Sequence, residues 1–539
     1  MDNQKQDQPN VIVILVDDMG FADLGHMGSE IKTPNIDSMA ENGVLMSAMY
    51  NCARCCPTRA SLLTGLYPHK AGVGQMGANL GTPAYQGFLR DDSATIAEVL
   101  QANGYRTLMS GKWHVAGDLH AKKADTWQFG TPDRPSPRSR GFDRFYGILD
   151  GVTHFFSPHF IMENDKRVET FADNYYFTDV ITDKAIGMIE ESVTDEQPFF
   201  LYLAHAAPHW PLHAWEEDIA KYDGVYNQGW DKTRTHRHEE MRSRNVLQKH
   251  WDISQRDESA PAWKEIKHTD WEASKMAAYA AMIDRMDQQI GRVLDTLKAN
   301  GQYDNTLIMF LSDNGGCAEF MAEDGWAKWF PDTTHDGRQI QMGNRPDVRP
   351  GDALTYQSYD LPWANVSNAP FRLFKHWVHE GGISTPMIVQ WPAKIKEGSV
   401  HHAACHVVDI MPTIMEVTGS SYLSERDGHT PQTLDGESLV SAFVGNDWER
   451  EQPIFWEHEG NCAVRLGRFK LVRKFNEPWE LYDMEADRTE LNNLIGRNDP
   501  LTQKLLREYA GYVETAGVLD WNIALPRLQA AWDMGDIHG

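Results

Sequence analysis

Polarity changes period several times along the chain. Residues 10–16 form a continuous, β-branched apolar run, the pattern of a strand buried on both faces. Ser93 is placed to cap a helix over 94–102 that Asn103-Gly104 stops, and 106–109 reads as the next strand. Thr178 is placed to cap a helix to about Glu191, with a strand over 199–203 behind it. From about 270 to 299, Tyr279, Met282, Ile283, Met286, Ile290 and Val293 recur at spacings of three and four, one buried helical stripe. Asn300-Gly301 ends it. Strands over 306–311 and 386–391 and a helix over 408–418 follow. This alternation predicts an α/β fold, a large and mostly parallel sheet sandwiched by helices. Farther on the pattern shortens. Strands over 454–457, 463–466, 469–473 and 479–482 precede a helix over about 501–515. They predict a smaller C-terminal α+β domain with a short antiparallel sheet. The polar stretch 445–452 divides the expected catalytic domain, 8–447, from the C-terminal unit, 448–539.

Composition narrows the partners. With 539 residues, the chain is long enough for one large domain and a smaller one. At 41% hydrophobic and 24% charged it is not a disordered chain. Asp and Glu total 77 against 51 Lys and Arg, a net charge of −26, which argues against a nucleic-acid backbone or an anionic membrane as partner. An anionic substrate would need a local positive island. No apolar run reaches the length of a membrane span. The polar start, 1–10, lacks the apolar core of a signal peptide, so no such peptide is expected in this chain. Six cysteines are too few for a disulfide scaffold, and none falls at zinc-ligand spacing.

Candidate chemistry gathers at strand ends. Asp17-Asp18, Lys112-Trp113-His114, His205 with Pro208-His209-Trp210-Pro211, and Asp313-Asn314-Gly315-Gly316 each follow a predicted strand. Ligands of open α/β sheets bind outside the carboxyl ends of strands, so these clusters are expected to converge. Asp17, Asp18, Asp313 and Asn314 offer hard oxygen ligands suited to Ca²⁺ or Mg²⁺; the alternative is that Asp18 and Asn314 only bond turn backbone. A fifth cluster runs from Cys55 to Gly65. Pro57 suits the first turn of a helix, which puts Cys55 at its N-terminus, where the dipole and Arg59 favour an anion. A buried structural cysteine and a Cys52-x-x-Cys55 redox pair are the other readings.

The run Cys55-x-Pro57-Thr58-Arg59-x-x-Leu62-x-Thr64-Gly65 resembles the signature of the type I sulfatases. Further landmarks recur in order: Val16-Asp17-Asp18-Met19-Gly20, Thr33-Pro34-Asn35-Ile36-Asp37, Gly111-Lys112-Trp113-His114, Ala207-Pro208-His209-Trp210-Pro211, Ser312-Asp313-Asn314-Gly315, and Lys375 before Glu380-Gly381-Gly382-Ile383. Phe455-Trp456-Glu457-His458-Glu459-Gly460-Asn461 and Trp479-Glu480-Leu481-Tyr482-Asp483 extend the likeness into the C-terminal unit. It covers nearly the whole chain and is most similar to bacterial arylsulfatases. Ser384-Thr385-Pro386 stands where the family often has a basic residue.

The resemblance implies an alkaline-phosphatase-like fold and hydrolysis of sulfate monoesters, with aryl sulfates as model substrates and sulfated sugars as natural ones. It implies that a maturation enzyme converts Cys55 to formylglycine. One Ca²⁺ is then held by Asp17, Asp18, residue 55, Asp313 and Asn314. Arg59 stabilises the hydrate of residue 55. Lys112, His209 and Lys375 bind the sulfate oxygens, and His114 serves as base. A protonated His209, or alternatively Lys375, supplies the proton of the leaving alcohol. Bacterial periplasm or secretion is implied as the location, with the cytoplasm left open by the polar start of the chain. His154 is a candidate pocket-lining residue, whereas His205, His213 and His376 read as structural or solvent-facing. The polar segment 317–368 reads as a specificity loop over the site. Two other functions keep the same fold class: a phosphoester or phosphonate hydrolase, and an inactive binder of sulfated glycans.

Overall fold

A computed structural model describes residues 8–117, 128–323, 330–497 and 499–532. A ten-stranded sheet organises the larger part. From edge to edge its strands are Ser399–His401, Val44–Met46, Met387–Gln390, Thr306–Ser312, Asn10–Val16, Phe199–Ala204, Arg106–Lys112, Arg144–Ile148, Met162–Glu163 and Lys166–Arg167. The five from Thr306–Ser312 to Arg144–Ile148 are mutually parallel. Met387–Gln390 is antiparallel to both its neighbours, so the sheet is mixed.

The central strand shows why the run at 10–16 carries no polar alternation. Ile12, Ile14 and Val16 belong to the core on one face, and Val11, Val13 and Leu15 to the core on the other. Helix Thr269–Ala299 covers the first face with Met282, Ile283, Met286 and Ile290. Helix Cys55–Thr64 lies on the second face, with Leu62 and Leu63 in its core and all ten residues buried. Among the described residues no helix is long and apolar enough to cross a membrane.

Several boundaries differ from the sequence reading, each for a local reason. Ser93 does not cap the helix before the strand Arg106–Lys112. Its hydroxyl donates to the Arg90 carbonyl at 2.7 Å, and Thr95 caps Ile96–Ala102 instead. Thr95 Oγ1 accepts from Glu98 N–H at 3.1 Å while Glu98 Oε2 accepts from Thr95 N–H at 2.7 Å, a reciprocal capping box. Thr178 lies inside helix Phe177–Thr194, whose first N–H is taken by the Phe155 carbonyl at 2.8 Å. The strand expected over 106–109 runs on to Lys112, so Lys112 ends that strand rather than following it.

The C-terminal strands Ile454–His458, Asn461–Leu466, Phe469–Arg473 and Glu480–Asp483 form an antiparallel sheet. Helix Asp499–Ala516 packs Leu505, Tyr509 and Tyr512 on its face with Val464 and Leu471. A last helix, Trp521–Trp532, follows beyond the elements the pattern predicts; the tail 533–539 of the expected C-terminal unit lies outside the described residues. The sheet meets the larger part through Tyr50, Ile383, Trp456 and Val472. Beside them is a buried ionic knot. Lys470 Nζ bonds Glu380 Oε1 and Glu490 Oε1 at 2.9 Å each, and Arg488 Nε reaches Glu380 Oε2 at 3.1 Å.

Candidate active site

Sheet register assembles the site. Val16 pairs with Ser312, and Asp313 N–H donates to the Val16 carbonyl at 3.0 Å, so Asp17-Asp18 and Asp313-Asn314 leave the sheet side by side. Asp18 and His114 are non-glycine residues at φ +67° and +59°, backbone strain of the kind found where side chains are aimed for function. Gly151 leaves room for His114: a Cβ there would lie 2.4 Å from the imidazole.

Charges interlock around these turns. Arg59 donates to Asp313 Oδ2 from Nη2 at 2.7 Å and from Nε at 3.1 Å, and from Nη1 to the Lys112 carbonyl at 3.1 Å. Lys112 Nζ bonds Asp17 Oδ2. Lys375 Nζ lies 2.8 and 2.9 Å from the two Asp18 oxygens and 3.2 Å from His209 Nε2. His209 Nδ1 meets the Trp210 carbonyl at 2.7 Å, which makes Nδ1 the N–H and turns Nε2 toward Lys375 and Asp18. Burial pulls the His209 imidazole down to about 4. All these groups are buried. The positive island expected in a negative protein is therefore a lattice of alternating signs.

The oxygen cluster fits a hard divalent cation. Asp17 Oδ1 and Asn314 Oδ1 are buried and accept no hydrogen bond. Such atoms are costly unless something absent from the chain satisfies them. Burial raises Asp17 in spite of Lys112 and Arg59, and it pushes Asp313 up to about 8 with Asp17 adding to the effect. Asp18 is held below the usual range, where His209 and Lys375 outweigh burial. Three carboxylates and an amide oxygen suit Ca²⁺ or Mg²⁺ rather than a soft metal.

Cys55 is the first residue of its helix. The sulfurs of Cys55 and Cys56 and a ring nitrogen of His114 lie within 4.8 Å of one another. The two neighbouring thiols differ sharply. A hydrogen bond from Cys56 and then, against burial, the charges of Lys112, His114 and Lys375 bring Cys55 well below the ordinary thiol range. Burial drives Cys56 well above it. All six cysteines are free, so Cys52 and Cys55 form no disulfide. Cys52 Sγ instead lies 3.4 Å from Ser61 Oγ and 3.7 Å from His406 Nε2.

The candidates other than His154 are thus linked by direct contacts or close charges. His154 stands apart. Its Nε2 meets the Ala353 carbonyl at 3.0 Å and its Nδ1 accepts Ser157 N–H at 2.9 Å. Its ring leads to Trp210 through Tyr356. His205 and His213 are buried, and His376 is partly exposed. From the expected specificity loop, Glu319 reaches the site, while 324–329 lie outside the described residues. Sequence reasoning assigned no role to Arg54 and Glu319, which lie beside the motifs, or to Glu459, which lies within one.

Fold and site together, a parallel-stranded core whose strand ends gather buried carboxylates and cations around Cys55, suit chemistry on an oxyanion ester. Comparison with known proteins narrows this. Residues 9–420 match the Sulfatase family model, and 371–512 match that of the N-sulphoglucosamine sulphohydrolase C-terminal region. An uncharacterized sulfatase of Schizosaccharomyces pombe is 32% identical over 553 residues, 95% of this chain and 94% of its own. An arylsulfatase of Klebsiella aerogenes is 32% identical over 434 residues, 77% of this chain and 88% of its own. The crystal structure of Ps i-CgsB in complex with k-i-k-neocarrahexaose has 27% identity and a TM-score of 0.66, covering 98% of this chain and 100% of that one. The chain belongs to the sulfatase family, with an alkaline-phosphatase-like fold, and is an enzyme that hydrolyses sulfate esters.

Proposed function

We propose that the enzyme cleaves sulfate monoesters of sugars, with residue 55 in its formylglycine form and one Ca²⁺ held by Asp17, Asp18, residue 55, Asp313 and Asn314. The observation that carries this reading is the pair of orphaned buried oxygens, Asp17 Oδ1 and Asn314 Oδ1, beside Cys55, Arg59, Lys112 and Lys375. Ca²⁺ would supply fixed positive charge toward a sulfate oxygen, and hydrated formylglycine would supply a hydroxyl nucleophile.

The chain's own residues account for the rest. Lys112, Lys375 and His209 hold sulfate oxygens as negative charge spreads over them in the transition state. Arg59, anchored by Asp313 and the Lys112 carbonyl, keeps the helix start and the strand end in register. His114 accepts a proton at the ring nitrogen facing residue 55. His209 keeps its own proton on Nδ1, so the proton for the departing alcohol oxygen starts on Lys375 Nζ, 3.2 Å from Nε2, and passes through Nε2 to the alcohol. Sugar substrates are supported by relatives. One is described as an N-acetylglucosamine-6-O-sulfatase of Bacteroides thetaiotaomicron, 26% identical over 552 residues.

The test is sulfate release from 4-nitrophenyl sulfate and from monosulfated sugars, beside the matching phosphates and phosphonates. Mass analysis of the peptide bearing residue 55 accompanies it. Sulfate esters are expected to react fastest, and Cys55→Ala to abolish turnover. Faster phosphate or phosphonate cleavage, or full activity with unmodified Cys55, would overturn the proposal. Readout of the ion is separate: Ca²⁺ is expected to raise the unfolding temperature of the enzyme, and Asp313→Ala to remove that rise.

A further inference from the structure

The sulfate-holding groups are sunk in the protein, with Lys112, Lys375 and His209 at 0%, 4% and 4% exposure. Around them stands a second set, partly open to solvent, that the chemistry above leaves unused. Arg54 Nη2 bonds Glu319 Oε1 at 2.8 Å, with side chains 21% and 25% exposed. His376 Nδ1 bonds Glu459 Oε2 at 3.2 Å, with side chains 29% and 24% exposed. Each member is tied to the reacting centre. Arg54 precedes Cys55, and His376 follows Lys375. Glu319 accepts from Trp210 Nε1 at 2.9 Å, next to His209. Arg54 feels the charges of Glu319, Cys55 and Glu459. His376 N–H donates to the Ala53 carbonyl at 2.8 Å, closing the ring.

The set carries marks of a built site. Ala53, His376 and Glu459 all have positive φ, at +64°, +90° and +51°. His458, 0% exposed, has both ring nitrogens without a hydrogen-bond partner, and Nε2 lies 3.8 Å from Glu459 Oε1. Arg54 Nε is likewise buried and unpartnered. Glu459 is engaged by Gln75 at 2.8 Å and by His376, whose Nε2 faces Asn461 Nδ2 at 3.4 Å.

We propose that Arg54, Glu319, His376 and Glu459 form the subsite for the leaving alcohol, and that it takes a neutral polyhydroxylated ring rather than one bearing a second anionic group. This rests on the sulfatase reading. Two carboxylates accept hydroxyl protons and Arg54 donates to ring or hydroxyl oxygens, the usual grammar of sugar binding. Among these ion pairs one guanidinium stands against two carboxylates, and burial lowers the pKa of His376, so carboxylate charge is in excess at the rim. A second sulfate or a carboxylate on the substrate would meet like charge.

The experiment compares kcat/KM for a monosulfated neutral hexose, the same hexose carrying two sulfates, and 4-nitrophenyl sulfate. The wild-type enzyme is expected to prefer the monosulfated sugar over the disulfated one at least tenfold. Glu459→Gln and Glu319→Gln are each expected to lower the sugar-to-aryl ratio about tenfold, mostly through KM, and to narrow discrimination against the disulfated sugar. A ratio unchanged within twofold in both variants, or a wild-type preference for the disulfated sugar, would overturn the subsite. The wild-type comparison stands even where a variant fails to fold. Absence of any sulfate release by the matured wild-type enzyme would instead defeat the sulfatase reading itself.

Discussion

Lys470 offers the sharpest test of how the C-terminal sheet is fastened. Its ammonium is wholly buried between Glu380 and Glu490, 2.9 Å from each. At an effective dielectric of about 20, each pair attracts by about 6 kcal/mol before desolvation is counted. Much of that only offsets the cost of burying the ions. Breaking such a pair by removing one partner costs about 3–5 kcal/mol, because the remaining charge is stranded. Lys470→Met keeps the volume and removes the charge. Glu380 retains Arg488 Nε at 3.1 Å and the Tyr50 hydroxyl at 2.9 Å, so the carboxylate left without a cation is Glu490, which keeps only the Glu380 N–H at 3.0 Å on its Oε2. We therefore expect Lys470→Met to lose about 3–5 kcal/mol, and Glu490→Gln added to it to recover about 1–3 kcal/mol. Urea unfolding followed by tryptophan fluorescence and far-UV circular dichroism measures both. A loss under about 1 kcal/mol, or a double variant weaker than the single, would show that the knot is not held by this charge. Activity should fall as well. Glu380–Ile383 packs on the Asp313-Asn314 turn, where Gly315 N–H donates to the Gly382 carbonyl at 3.0 Å.

Three further outcomes are expected. Gly151→Ala should lower kcat at least tenfold with little change in melting temperature, since the new Cβ would stand 2.4 Å from the His114 ring; steady-state kinetics beside a thermal melt checks it. Gly187→Ala, inside helix Phe177–Thr194 with open space where the methyl would go, should stabilise the protein by about 0.5–1 kcal/mol in denaturant titration. His209→Ala should slow sulfates of poorly leaving alcohols more than activated aryl sulfates, and equal losses across a leaving-group series would leave His209 as a sulfate binder alone.

The parallel core was legible because strands buried on both faces must be continuously apolar, as at 10–16 and 306–311. Short edge strands such as Ser399–His401 and Lys166–Arg167 were not, for three residues or two carry no period. Strand direction leaves no mark either: nothing in Met387–Gln390 announces that it runs against its neighbours. Residues at strand ends gave away the charged centre, since Asp17, Lys112 and Asp313 sit where the sheet delivers them. The rim was hidden. Arg54 meets Glu319 and His376 meets Glu459 across hundreds or tens of residues, and only the folded chain makes them neighbours.

Burial of the helix Cys55–Thr64 has a temporal meaning. Every one of its residues is inside, with Cys55 2% exposed beneath the lattice of charges. If residue 55 is matured as proposed above, the maturing enzyme must reach a side chain that the folded protein buries. Its window closes once the helix docks against the sheet. On that proposal, a folded molecule that still carries the thiol would have missed its turn, and later treatment of the native protein would be expected not to convert it. Specific activity of a preparation would then record the race between modification and folding during synthesis, and two batches of equal purity and equal stability would differ in turnover by the share of chains that won it.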